Sequence, residues 1–145
     1  MVEVRKITAR ETYEIRLKVL RINSPLSYKF QGDLDGDTFH LGAFENKKLL
    51  TVASFVKSTH PSLTGSQYHL RGMATLESFQ NRGFGKILLQ EAEVRLRSLD
   101  TEALWCNARV IAFDFYLKQG FEFYGKIFEI EHVGPHAVMV KRLIK

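Results

Sequence analysis

Gly83 and Gly85, with Arg82 before them and Lys86 after, make Gln80-Asn81-Arg82-Gly83-Phe84-Gly85 the stretch of this chain best suited to hold an anion. From Phe84 onward, Phe84, Ile87, Leu88, Ala92, Leu96 and Leu99 recur at three- and four-residue spacing, while Lys86, Gln90, Glu93 and Arg97 face elsewhere. That periodicity predicts an amphipathic helix beginning at about Gly83. The first N–H groups of such a helix lack partners, and the aligned peptide dipoles make that end partially positive. The two glycines remove the Cβ atoms that would hold an anion away, and Arg82 and Lys86 add full charges. The physical reading is a diphosphate cradle.

Spacing separates the kinds of glycine-rich cradle. A phosphate loop of the G-x-x-x-x-G-K-[ST] type would need glycine at Gln80 and a hydroxyl at Ile87 for magnesium, so it fails. The dinucleotide fingerprint G-x-G-x-x-G would need glycine at Leu88 and fails as well. What remains is Q-x-x-G-x-G after a strand, which strongly resembles the pyrophosphate-binding loop of the GNAT superfamily of acyl-CoA-dependent N-acetyltransferases. Further along, Ala112 to Phe121 reads A-F-D-F-Y-L-K-Q-G-F and resembles the family's A-x-x-x-Y-x-x-x-G-F. The HLGAF, LRGMAT and GPHAVMVK stretches look like those of small bacterial acetyltransferases.

The resemblance implies a donor site for acetyl-CoA, with no metal, formed by Gln80, Asn81, Arg82, Gly83, Phe84, Gly85 and Lys86. It also implies that the strand before the cradle splays from the strand after its helix. The backbone groups of Met73, Ala74 and Thr75 would then hydrogen-bond pantetheine and polarise the thioester carbonyl. An N–H aimed at a developing oxyanion in a dry site is worth on the order of 3 kcal/mol. Tyr116 takes the place of the tyrosine that protonates the departing thiolate, a role within reach of a phenol with pKa about 10. Seven residues before that tyrosine the family usually has an asparagine; Arg109 stands there, with Asn107 two residues earlier. Asn107, at a strand end, is the preferred pantetheine contact, and Arg109 stays open.

The general base is less determined. Where the family often has a glutamate, eleven residues before the cradle glutamine, this chain has His69. An imidazole of pKa near 6.5 can take a proton from the acceptor amine. Strand alternation puts His69, Arg71, Met73 and Thr75 on one side, so Arg71 would face the acceptor and could pair with a carboxylate on it. His40, His132 and His136 lack metal-ligand spacing. Asp33, Asp35 and Asp37 fail as a calcium loop, which would need glycine at Thr38 and glutamate at Phe44, and read as a solvated acidic turn. Cys106 shows no partner that would lower its pKa and reads as a buried thiol, which favours direct transfer in a ternary complex.

At 145 residues the chain suits one domain, expected over 1–145, with 45% hydrophobic and 26% charged residues. The net charge of +5 suits an anionic ligand such as coenzyme A, but Lys and Arg are scattered and no nucleic-acid motif appears. A single cysteine and the lack of an apolar run of about 18 residues point to a cytoplasmic protein with no membrane partner. The expected partner is a small-molecule or peptide amine, with a homodimer left open. A non-catalytic acyl-CoA-binding module is the alternative function.

The elements that must position these residues follow from the chain in order. Val2–Ile7 alternates as an edge strand, and Thr8-Ala9-Arg10-Glu11 has capping-box spacing for a helix to about Leu20, with Arg16 and Arg21 available to a cleft. Asn23 to Asp37 is turn-rich and expected over the active site. Strands are expected at Phe39–Phe44 and Leu49–Lys57, joined by Glu45-Asn46-Lys47-Lys48, then at Tyr68–Leu76 and Ala103–Cys106. A helix over Arg109–Gln119 stops at Gly120, and two strands, Phe121–Ile130 and Ala137–Leu143, flank Gly134-Pro135. This is a single α/β domain with a mixed, mostly antiparallel sheet and flanking helices, matching the GNAT fold.

Overall fold

The computed structural model describes residues 1–143; Ile144 and Lys145, the end of the expected domain, lie outside the described residues. The chain opens with β1 (Val2–Ile7) and α1 (Ala9–Ile15). The capping box forms as expected, with the Thr8 hydroxyl accepting from Glu11 N–H at 3.2 Å and Glu11 Oε1 accepting from Thr8 N–H at 2.9 Å. The helix ends earlier than the periodicity suggests. Arg16–Leu20 winds as a wider π-type turn, closed by Arg21 N–H donating to Arg16 C=O at 3.1 Å.

β2 (Phe39–Glu45) and β3 (Lys48–Lys57) form a hairpin whose turn residues Asn46 and Lys47 both take positive φ, matching the right-handed twist of the strands. β4 (Gln67–Thr75), α2 (Phe84–Ser98), β5 (Ala103–Arg109), α3 (Phe113–Lys118), β6 (Glu122–Ile130) and β7 (Gly134–Arg142) follow. Beyond one-residue shifts at strand ends, two junctions differ from the sequence reading. Arg109 stays in β5, paired with His136, so the following helix starts only at Phe113, after a 3₁₀ turn. Gly134 and Pro135 belong to β7, and the reversal is made by Glu131–Val133, with His132 at φ 67°.

The described residues form a seven-stranded sheet in the order β1-β2-β3-β4-β5-β7-β6, with β4 and β5 its parallel pair. One face packs on α2 and α3 through Leu41, Phe55, Leu70, Leu88, Leu96, Leu104 and Met139. The other carries α1, with Ile7, Ile15, Phe44, Val52 and Ala74 between them. β6, at the sheet edge, leaves Phe123, Tyr124, Ile127 and Phe128 exposed.

Beneath the loop that follows the π turn, Arg16 is fully buried, where a cleft-facing role was expected. Asp33 is buried with it and is not a solvated acidic turn; Asp35 and Asp37 are the exposed ones. The guanidinium meets the carboxylate in a fork, Nη1 to Oδ2 at 2.7 Å and Nη2 to Oδ1 at 2.9 Å, and also donates to Ser54 Oγ at 2.7 Å. His40 joins through Ser54 Oγ and the Asp33 carbonyl. Burial alone would raise the Asp33 carboxyl, but Arg16 and the Phe30 N–H hold it below the usual carboxylate value. Removing one partner strands the other charge, so Asp33→Ala should cost about 3–5 kcal/mol in urea unfolding. A loss below about 1 kcal/mol would show the loop to be held by its turns instead.

Candidate active site

β4 and β5 run side by side only from Gln67–Ala103 to His69–Trp105; beyond that register they separate. β4 goes on along β3 and β5 along β7, so a split opens between strands that share one sheet. Both edges of the split carry backbone groups released from the parallel ladder. The splay of the central strands is thus built into the register.

A β-bulge in β4 sits at the mouth of the split. Arg71 pairs with Ser54 and Ala74 with Val52, so Gly72 and Met73 together oppose Ala53. Gly72 holds φ at +61°, and a Cβ there would meet Phe30 at 2.7 Å and the Arg16 Nε at 3.2 Å. Both the conformation and the space demand glycine. The extra residue also reverses side-chain alternation, correcting the expectation that His69, Arg71, Met73 and Thr75 share a side. His69 and Arg71 face the α1 side, while Met73 packs into the α2–α3 core and Thr75 reaches Thr51 at 2.9 Å.

The loop expected to form the cradle follows β4. Gln80 folds back, its side-chain amide donating to the Thr75 carbonyl at 2.9 Å and tying the loop to the strand end. Asn81 and Gly83 take positive φ, 63° and 88°, and α2 then starts at Phe84. The first backbone bond into the helix is Ile87 N–H to Gly83 C=O, which leaves the N–H groups of Phe84, Gly85 and Lys86 unused. A Cβ on Gly83 would stand in open space, whereas one on Gly85 would press on Phe115 at 3.3 Å and Met73 at 3.5 Å. Gly83 thus leaves room above the helix start, and Gly85 serves the seating of the helix. Arg82 and Lys86 are exposed beside them, and Phe84 is buried as an anchor. These groups fit a diphosphate.

The split opens into a cleft of ≈ 310 Å³, lined among others by Leu70, Met73, Cys106, Ala112 and Tyr116 toward the α2–α3 core. Tyr116 is 7% exposed, and its hydroxyl donates only weakly, to Met73 Sδ at 3.9 Å. Burial, with Cys106 beside it, raises its pKa well above the ordinary phenol value, so it keeps its proton. Burial likewise pushes the Cys106 thiol up to about 12, and no thiolate forms there at neutral pH.

On the α1 side, His69, Arg71, Asn107 and Arg109 line the same cleft. Asn107 is exposed and shares its side of β5 with Arg109, so neither side chain points toward the cradle. The imidazole of His69 does not have its expected value near 6.5. It stacks flat on Trp105, ring centroids 3.7 Å apart at 6°, and burial, with the charges of Arg71 and His60, lowers its pKa to about 3. A limb in kcat/KM near pH 6–7 is not expected from this ring.

Stability should report the same shift. Between pH 6.5 and about 3 the unfolded chain binds a proton at His69 that the native chain refuses. Stability therefore falls as pH falls through that window, by up to about 1.4 kcal/mol per pH unit from this group. His69→Phe keeps a ring on Trp105 and should flatten the slope of urea-unfolding stability between pH 7 and 5. His40, whose pKa burial also lowers, leaves a remainder. An unchanged slope would mean that the imidazole titrates alike in both states.

Sequence reasoning had no signal for the Arg16–Asp33 pair, the Trp105 stack or Phe30, because each contact joins distant segments. Among the described residues no group of His, Cys, Asp or Glu could hold a metal, and no helix is long and apolar enough to cross a membrane.

A sheet split between parallel strands, with a glycine-flanked helix start between them, defines an acyltransferase fold, and the chain belongs to the acetyltransferase (GNAT) family, whose model matches residues 2–121. It is 40% identical over 145 residues to the uncharacterized N-acetyltransferase YitI of Bacillus subtilis (strain 168), covering 99% of this chain and 97% of that protein. Among solved structures it is similar to Escherichia coli ElaA, with TM-score 0.80 and 20% identity over 97% of this chain and 99% of that one. An aminoglycoside 6'-N-acetyltransferase complexed with coenzyme A shares the fold at TM-score 0.78 and 11% identity, over 99% of this chain and 98% of that one.

Proposed function

We propose that the protein transfers an acetyl group from acetyl-CoA to a primary amine of a small molecule or peptide, directly within a ternary complex. The observation that carries this reading is the β4–β5 split, which joins the anion cradle of α2 to a cleft containing the buried hydroxyl of Tyr116. In this reading the N–H groups of Phe84, Gly85 and Lys86, with Arg82, hold the diphosphate. The released backbone groups of Met73 and its neighbours in β4 orient the pantetheine arm, and Asn107 closes the β5 side. Acetyl-CoA supplies an activated thioester; the amine nitrogen attacks its carbonyl carbon, and the C–S bond breaks as the N–C bond forms.

Tyr116 donates its proton to the departing sulfur, and water returns to it the proton that the amine nitrogen gives up as the N–C bond forms. An acid that must stay protonated is served by the burial that raises its pKa. The protonated Cys106 thiol supports transfer without an acyl-enzyme. His69, with a pKa of about 3, is a weak acceptor for the amine proton. The cationic cleft lessens the need for a strong base, because nearby positive charges favour the neutral, nucleophilic form of a bound amine.

The experiment is release of free thiol from acetyl-CoA on adding amines, amino acids or peptides, with the acetylated amine identified by mass. Thiol and N-acetyl product in equal amounts are expected. Tight coenzyme A binding with no thiol from any amine would assign the chain to a non-catalytic acyl-CoA-binding module.

A further inference from the structure

The α1 side of the cleft gathers more positive charge than acetyl transfer requires. Arg21, Arg71 and Arg109 all line it, while no aspartate or glutamate among the described residues does. Asp33, the acid that acts on Arg71, is spent: it accepts both ends of the Arg16 guanidinium and the Phe30 N–H. Arg16 and Asp33 therefore cancel, and three guanidiniums remain uncompensated around one opening.

Their donors are largely unspent. Arg71 donates to the Gln31 carbonyl at 3.2 Å, and Arg21 to the carbonyls of Ser27 and Leu20. Arg109 has no polar partner among the described residues, and burial alone lowers its pKa. A guanidinium offers five N–H donors, so most of those in the trio await an acceptor. The Phe30 ring sets the geometry, with Arg71 at 4.9 Å and Arg21 at 5.2 Å from its centroid, beside Arg16 at 3.9 Å. The charges act on one another: burial first, then Arg109, Arg71 and Arg16, pull the Arg21 guanidinium below its ordinary value. Like charges held together in a half-buried cleft cost free energy, which a bound anion would return.

We propose that the acceptor is an amine that also carries an oxyanion, a carboxylate or a phosphate, which Arg21, Arg71 and Arg109 hold while the amine faces the split. This rests on the acetyl-transfer reading above and specifies its substrate class. Planar guanidiniums match such oxyanions two bonds at a time. Ile130 and Val133 give an apolar wall for the stem between the two groups. The same field repels polyamines and other polycations, so selectivity comes from rejection as well as attraction.

The test separates this inference from the reading it rests on. With the cradle saturated by coenzyme A, glutarate and inorganic phosphate are titrated by calorimetry into wild type, Arg71→Gln and Arg109→Gln. Binding of at least one anion is expected, weakened about 30-fold or more in each variant, with coenzyme A affinity within about twofold of wild type. Which anion binds tells carboxylate from phosphate. Thiol release is then compared for glutamate against glutamine, and phosphoethanolamine against ethanolamine, with spermidine as the polycation. The charged member of at least one pair should exceed its neutral partner in kcat/KM by about tenfold or more. No binding of either anion, or binding unchanged in both variants, overturns the proposal whether or not an amine is turned over. So does a neutral amine or spermidine that reacts as well as the charged one. Failure to bind coenzyme A would instead remove the acetyl-transfer reading, and the anion titration without it would still judge the arginines.

Discussion

Gly83→Asp is expected to abolish coenzyme A binding in a protein that remains folded. Gly83 has φ +88°, and the space where its Cβ would stand is open. An aspartate pays only the left-handed backbone penalty, roughly 1 kcal/mol, with no clash. Its carboxylate, however, would occupy the site at the start of α2 where the diphosphate is proposed to sit, satisfying the unused N–H groups and repelling the ligand. A loss of at least about 100-fold in affinity follows from exchanging an attractive site for a like-charge one. Gly83→Asn carries the same backbone strain without the charge and should lose far less. Calorimetry on both variants, with circular dichroism to verify folding, checks this. Unchanged affinity in folded Gly83→Asp would place the diphosphate elsewhere.

Tyr116→Phe should lower kcat by about 100-fold or more, with acetyl-CoA affinity little changed. The ring packs edge-on against Phe115 and Phe121, at 5.2 Å from each, and phenylalanine preserves both contacts. The hydroxyl gives up only a weak bond to Met73, so the fold loses little. What disappears, in the proposed mechanism, is the proton for the leaving sulfur. Pre-steady-state thiol release measures the chemical step even where product release limits turnover. An unchanged burst rate in Tyr116→Phe would assign that proton to water or another group.

Much of the fold and of the candidate site is legible in the residues themselves, because it depends on neighbours in the chain. The cradle is local: two glycines, two flanking cations and a helix whose apolar period starts at Phe84. The Thr8–Glu11 cap, the Asn46-Lys47 turn and the stop at Gly120, φ +92°, are local for the same reason. The alternating and apolar runs of the strands suffice to locate the members of the sheet.

What only the tertiary structure decided concerns which distant residues meet. Strand alternation, applied to β4, puts Arg71 and Met73 on one side, and it fails because one extra residue, Gly72, is absorbed opposite Ala53. That bulge depends on pairing with β3, which no local period records. Asp33 looked solvated among polar turns, yet the loop returns it to Arg16, 17 residues earlier, where burial of both charges compels the fork. His69 has the composition of a base, but burial against the Trp105 ring of β5, followed by the charges of Arg71 and His60, lowers its pKa. The arginine trio joins the end of the π turn, β4 and β5, segments 21, 71 and 109 residues along the chain. Sequence determines what each side chain can do; long-range packing sets its neighbours, its solvent and therefore its charge.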